Sequence, residues 1–183
     1  MPMDAWAGPF YAVALLLGAA GALKAVDPVD TVGALRALGI RVPPPAVRLG
    51  GAVEVVVALW AIATGALVPA LLVAVSYLAF SAFVVVALRR GTPIGSCGCF
   101  GKVDTPPSGW HLVVNGGAVV AALGVALTGP TPVAAVLADQ PGAGLPFVAF
   151  TLIAAFLAFL LVTALPRLQQ AARLARTPGA AVR

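Results

Sequence analysis

Charge is scarce in this chain. Only 9 % of its 183 residues are Asp, Glu, Lys or Arg, against 61 % hydrophobic. A soluble domain carries roughly a quarter charged residues, so the deficit excludes an ordinary water-soluble fold and points to an integral membrane protein. Histidine occurs once, as His111, and methionine only as Met1 and Met3. That leaves little with which to complete a metal site. No basic-aromatic patch or zinc-finger spacing is present, which argues against nucleic acid as a partner. No basic residue precedes Lys24, which follows the first apolar run. The missing basic n-region argues for a retained first helix rather than a cleaved signal peptide.

What the chain has instead is long apolar runs. Five are long enough to cross a bilayer, which takes roughly 20 helical residues. They cover about residues 5–26, 46–65, 67–88, 110–127 and 146–165. The reading is a single polytopic all-α bundle over residues 1–166, followed by a basic tail at 167–183. The second and third runs meet at "TGALVP", a short connection typical of antiparallel neighbours and punctuated by Gly65 and Pro69. Between the first two runs, Asp30 or Thr31 is placed to cap a short helix that Gly39 ends. No internal repeat stands out.

The net charge of +5 comes from 11 basic and 6 acidic residues. With five spans, all 11 basic residues fall on one face. Lys24, Arg36, Arg41 and Arg48 bracket the first connection, Arg89, Arg90 and Lys102 the third, and four arginines lie in the tail. By the positive-inside rule the expected topology has the N-terminus outside and the C-terminus in the cytoplasm.

Within the apolar runs a few polar residues stand out. Glu54 is the only carboxylate inside a span, and an ionisable residue there is costly unless partnered. Lys24 lies at a depth that permits pairing with it. Ser81 falls in the same half of the bilayer. His111 and Asn115 are four apart and share a helix face at the start of the fourth run. All five are expected on the side of the third connection, where they would tune a pocket or move protons. For Glu54 a purely structural packing role is the competing reading; for His111 it is an interfacial position beside Trp110.

That connection, "GTPIGSCGCFGKVDTPPSGWH", holds both cysteines, Cys97 and Cys99, separated by Gly98. Three chemistries compete for them. A dithiol/disulfide couple would close a small ring that Gly98 tolerates, labile enough for exchange. Two thiolates could instead hold a soft metal, or the thiols could simply pack. Nearby Lys102, Arg89 and Arg90 favour the thiolate. Zinc would need more ligands than His111 supplies. A structural disulfide would staple almost no chain.

"SCGCFG" ahead of a Trp-led helix, with "GALKAVDP" in the first run and Glu54 within "GGAVEVVVALW", resembles the methylamine-utilisation protein MauE family. That family sits within the wider DoxX-like group of small membrane proteins. The resemblance covers roughly residues 8–127 and implies a four-helix DoxX-like transmembrane bundle, here with a fifth C-terminal transmembrane helix. It implies a redox-associated protein in which Cys97 and Cys99 are the redox pair, Lys24 and Glu54 are recurrent polar residues, and Gly98, Phe100 and Gly101 shape the loop. Where the family often carries Arg-Asn, this chain has Val114-Asn115.

The combined expectation is a membrane-embedded thiol–disulfide redox protein, a candidate oxidoreductase, relaying electrons through the Cys-Gly-Cys loop. Its partner would be a thiol-redox protein or small thiol at the cytoplasmic face of the cell membrane. No cofactor is expected; a quinone or a soft metal is open, but no motif calls for either. The alternative is a non-enzymatic membrane scaffold or a small-solute or metal transporter component.

Overall fold

In the computed structural model, residues 5–91, 105–129, 132–139, 141–168 and 172 are described. Seven helices follow in order among them: α1 (Ala7–Val26), α2 (Val29–Ala37), α3 (Pro44–Thr64), α4 (Leu67–Arg90), α5 (Gly109–Thr128), α6 (Val133–Asp139) and α7 (Pro141–Thr163). No strand is found among the described residues. Helices α1, α3, α4, α5 and α7 are each long and apolar enough to cross a membrane. In lipid no water satisfies backbone groups, so such runs must close their own hydrogen bonds as helices.

The breaks between helices follow local chemistry. Pro43 and Pro44 start α3, where a proline's missing N–H costs nothing. Gly65 ends α3 in the left-handed region (φ 57°) and donates its N–H to the Ala61 carbonyl. Only glycine takes that conformation without strain, and the chain reverses into α4 two residues later. Gly91 ends α4 in the same way.

Two sequence expectations need correction. Neither Asp30 nor Thr31 caps α2. The helix begins at Val29 behind Pro28, and Asp27 Oδ1 accepts from the Val29 N–H at 3.2 Å. An aspartate bonding two residues ahead, followed by a proline with fixed φ, sets the start earlier. The last long helix begins at Pro141, not Pro146, and runs through Pro146. A proline inside a membrane helix is tolerated because neighbours re-satisfy the freed carbonyl. The connection before it contains the short helix α6, whose Leu137 packs against Gly144 of α7.

Two helix pairs dominate the packing: α1 with α3, and α4 with α5, with α7 against α1. The main core gathers Phe10, Tyr11, Leu17, Val73, Tyr77 and Val125 with small alanines from α3, α4 and α5. Tyr77 donates to the Val13 carbonyl at 2.7 Å, tying α4 to α1. The Tyr11 and Phe147 rings meet edge-on at 6.2 Å. At the α1–α3 crossing the backbones nearly touch. A β-carbon on Gly21 would sit 2.6 Å from the Gly51 carbonyl oxygen, and one on Gly51 would sit 2.8 Å from Ala25 N. Small residues at such a crossing let two membrane helices approach closely.

Candidate functional site

The pairings fix which helix ends lie together. Lys24 meets Glu54 across α1 and α3, Arg90 reaches Leu38, and Thr105 reaches Val162. The C-terminal ends of α1, α4 and α7 therefore share one end of the bundle with α2 and the N-terminal ends of α3 and α5. Every described basic residue (Lys24, Arg36, Arg41, Arg48, Arg89, Arg90 and Arg167) lies toward this end. At the opposite end Trp6 packs on Gly124, and α3 turns into α4.

The charged end is built around one ion pair. Lys24 Nζ lies 2.6 Å from Glu54 Oε1 and 2.5 Å from Oε2, with side chains only 6 % and 16 % exposed. The glycine crossing explains the contact. Gly21 and Gly51 lie three residues before Lys24 and Glu54 in their helices, so the close approach brings the next turns together. The Lys24 ammonium also sits 4.4 Å from the centre of the Phe80 ring on α4, a geometry in which the ring face attracts the cation. Two carboxylate contacts and an aromatic face thus surround a cation that would otherwise be costly to bury.

A cavity of about 340 Å³ lies beside the pair. Lys24, Glu54, Phe80 and Phe83 line it together with Thr31 and Leu35 of α2 and Val47, Gly50 and Gly51 of α3. Helix α2 is held against α4 by the Ala34, Leu38 and Ala87 cluster, and by Arg90, whose Nη1 donates to the Leu38 carbonyl at 2.8 Å.

The remaining candidates fall near the pair without joining it. His111 is 4 % exposed and acts at the start of α5. The Ser108 backbone N–H donates to His111 Nδ1 at 3.3 Å, and Ser108 Oγ lies 3.0 Å from the same nitrogen. A backbone N–H can only donate, so Nδ1 is the acceptor in that contact. His111 is a helix cap facing inward. It borders a narrow gap with Asn115, Tyr77, Phe80, Leu17 and Val162, so Phe80 stands between this gap and the ion pair. Ser81 turns away and donates to the Tyr77 carbonyl of its own helix at 2.9 Å. Its neighbour Phe80 is the α4 residue that meets Lys24, and nothing in an apolar run distinguishes that phenylalanine beforehand.

Cys97, Gly98, Cys99, Phe100, Gly101 and Lys102 lie outside the described residues. The residues flanking them do not. On one side Arg90 is tied to Leu38, and on the other Thr105 is buried and donates to the Val162 carbonyl at 2.8 Å. Both anchors are at the charged end. Among the described residues no three His, Cys, Asp or Glu side chains converge on a metal-sized site.

The model of the family described as methylamine utilisation protein MauE matches residues 4–128. The chain belongs to the MauE family. The match ends with α5, so α6 and α7 lie beyond it. Within the MauE segment fall the ion pair, the cavity, the His111 cap and both cysteines. Neither the curated proteins nor the solved structures contain a significant match. With five helices able to span a membrane, this MauE-family protein is a multi-pass membrane protein.

Proposed function

We propose that this protein relays two-electron equivalents by thiol–disulfide exchange through Cys97 and Cys99. The observation that carries the reading is the position of the two anchors, Arg90 on Leu38 and Thr105 on Val162. Both ends of the Cys-containing segment are tied to the same end of the bundle as the buried Lys24–Glu54 pair. Reactive thiols are activated by electropositive surroundings, and the described basic residues are concentrated there.

In the proposed reaction one thiolate attacks a disulfide of a soluble thiol protein or small thiol. A mixed disulfide forms and the first partner sulfur leaves as a thiolate. The second cysteine then attacks the mixed disulfide, closing Cys97–Cys99 and releasing the partner as a dithiol. Two electrons move to the partner, and run in reverse the same steps oxidise it. Lys24, Glu54 and His111 shape the polar end of the bundle to which both flanks of the Cys-containing segment are tied. The membrane core of the reaction is α1, α3, α4 and α5, the matched segment, with α7 as an added span. In this reading the thiols act at the cytoplasmic face, which the positive-inside rule supports.

Thiol trapping of the full-length protein in detergent, with and without mild oxidant, tests this. Mass spectrometry is expected to find a Cys97–Cys99 bridge or a mixed disulfide after oxidation. Thiols that stay free under every condition sink the proposal. Labelling intact cells with an impermeant maleimide tests the orientation, and ready labelling of either cysteine from outside reverses it. The cavity beside the ion pair favours a second reading, a non-enzymatic scaffold or small-solute carrier, which inert thiols in a folded protein would select.

A further inference from the structure

The cavity at the Lys24–Glu54 pair has a lateral mouth. Helix α3 packs chiefly on α1, and α4 chiefly on α5. The cavity lies in the cleft left between α3 and α4, at the charged end. Its rim consists of small exposed residues, Ala46 and Gly50 on α3 and Ala79 on α4. Around the rim the outer surface is Leu49, Val53 and Leu78, each more than half exposed and all apolar. In a bilayer such a face meets lipid, so an occupant reaches the cavity from the hydrocarbon.

The lining specifies what the occupant offers. Lys24 is spent on the carboxylate and on the Phe80 ring. Glu54 is not spent. Its Oε2 is buried, lies against Lys24 and takes no hydrogen bond of good geometry. A carboxylate offers about four lone-pair sites, so the unused capacity at this floor is that of an acceptor, and the complementary group is a hydrogen-bond donor such as a ring O–H. Phe80 and Phe83 present aromatic surface beside it, suited to a ring. A volume of 340 Å³ is at the low end for ligand pockets, which start at about 300 Å³. It suits one substituted ring with its tail left in the lipid. A bare acyl chain would leave Glu54 Oε2 without a hydrogen-bond donor, and a phosphate headgroup would bring negative charge against the carboxylate.

We infer that this cavity binds a lipid-soluble quinol, and its quinone form more weakly, with a ring hydroxyl donating to Glu54. Binding follows from the cavity alone. Joined to the redox reading, on which this second part rests, it names the membrane-side partner. Two electrons and two protons leave the Cys97 and Cys99 thiols as their sulfurs bond. The quinone takes up both pairs and becomes the quinol.

The test uses the full-length protein in nanodiscs, titrated anaerobically with short-chain ubiquinol and ubiquinone. The expected result is saturable binding, tighter for the quinol. Gly50→Leu with Ala79→Trp narrows the mouth from both helices without touching the ion pair. A β-carbon on Gly50 meets nothing within 4 Å, so the backbone is not pushed. That double variant should bind at least tenfold more weakly while keeping its melting temperature. Gly116→Leu, a control in open space on α5, and Cys97→Ser/Cys99→Ser should bind as the parent does. Absent or non-saturable binding overturns the inference, as does unchanged binding in a folded mouth variant. Binding that the mouth variant loses, with thiols that never oxidise, upholds the site and removes the redox reading. Thiol exchange without quinol binding does the reverse.

Discussion

Replacing Glu54 by leucine leaves Lys24 buried beneath Phe80 without its carboxylate. At 2.6 Å and an effective dielectric near 20, the direct attraction lost is ~6 kcal/mol. Much of that already offsets the desolvation of two charges, so the net loss on breaking the pair is about 3–5 kcal/mol. Both side chains are well under a third exposed, so solvent screens the pair little. Lys24→Met alone strands the carboxylate and should cost a comparable amount. Lys24→Met with Glu54→Leu removes both charges, and the rest of the cavity lining is apolar apart from Thr31. The double variant should regain most of the loss, ending within about 1–2 kcal/mol of the parent or above it. The assay is a double-mutant cycle on reversible unfolding in mixed micelles, where neighbours coupled by an ion pair give a large interaction energy. Additive losses, with the double variant the least stable of the four, would refute the argument that each charge is tolerated only because of the other.

Gly21→Ala or Gly51→Ala should destabilise by about 1–3 kcal/mol, because each new β-carbon meets the facing backbone; Gly50→Ala, one residue away in open space, should be close to neutral in the same melt. Tyr77→Phe leaves the Val13 carbonyl without its side-chain donor and should cost about 1–2 kcal/mol, read as a lower unfolding midpoint. Ser108→Ala removes the hydroxyl next to His111 Nδ1 and should cost about 1 kcal/mol, with amide exchange accelerated in the first turn of α5 and unchanged in its last.

The spans were legible because apolar runs of membrane length have few alternatives. Lys24 and Glu54 were legible because an ionisable group in such a run demands a partner, and matching depth left few candidates. Gly18 and Gly21 pack closely against α3, but a glycine in an apolar run carries no mark of which helix it will meet. Phe80 was not legible, since one phenylalanine in a run of apolar residues carries no mark of facing a cation. The role of His111 was hidden for a different reason. A helix-start box is read from Ser or Thr followed three residues later by Glu or Gln, and here histidine supplies the reciprocal acceptor. The start of α7 was misplaced because Pro146 reads as a boundary in water, whereas within the bundle the helix carries on through it.

The crossing of α1 and α3 has a mechanical consequence. The residues that meet most closely, Gly21 and Gly51, have no side chains to interlock, so contact there does little to resist one helix rolling or sliding on the other. The Lys24–Glu54 bridge, one turn along, supplies the missing directional constraint and acts as a locating pin for the helix pair. With it in place, the α3 wall of the cavity keeps one setting relative to α1. Without it, the glycine crossing becomes a smooth bearing, and the width of the cleft beside α4 becomes variable.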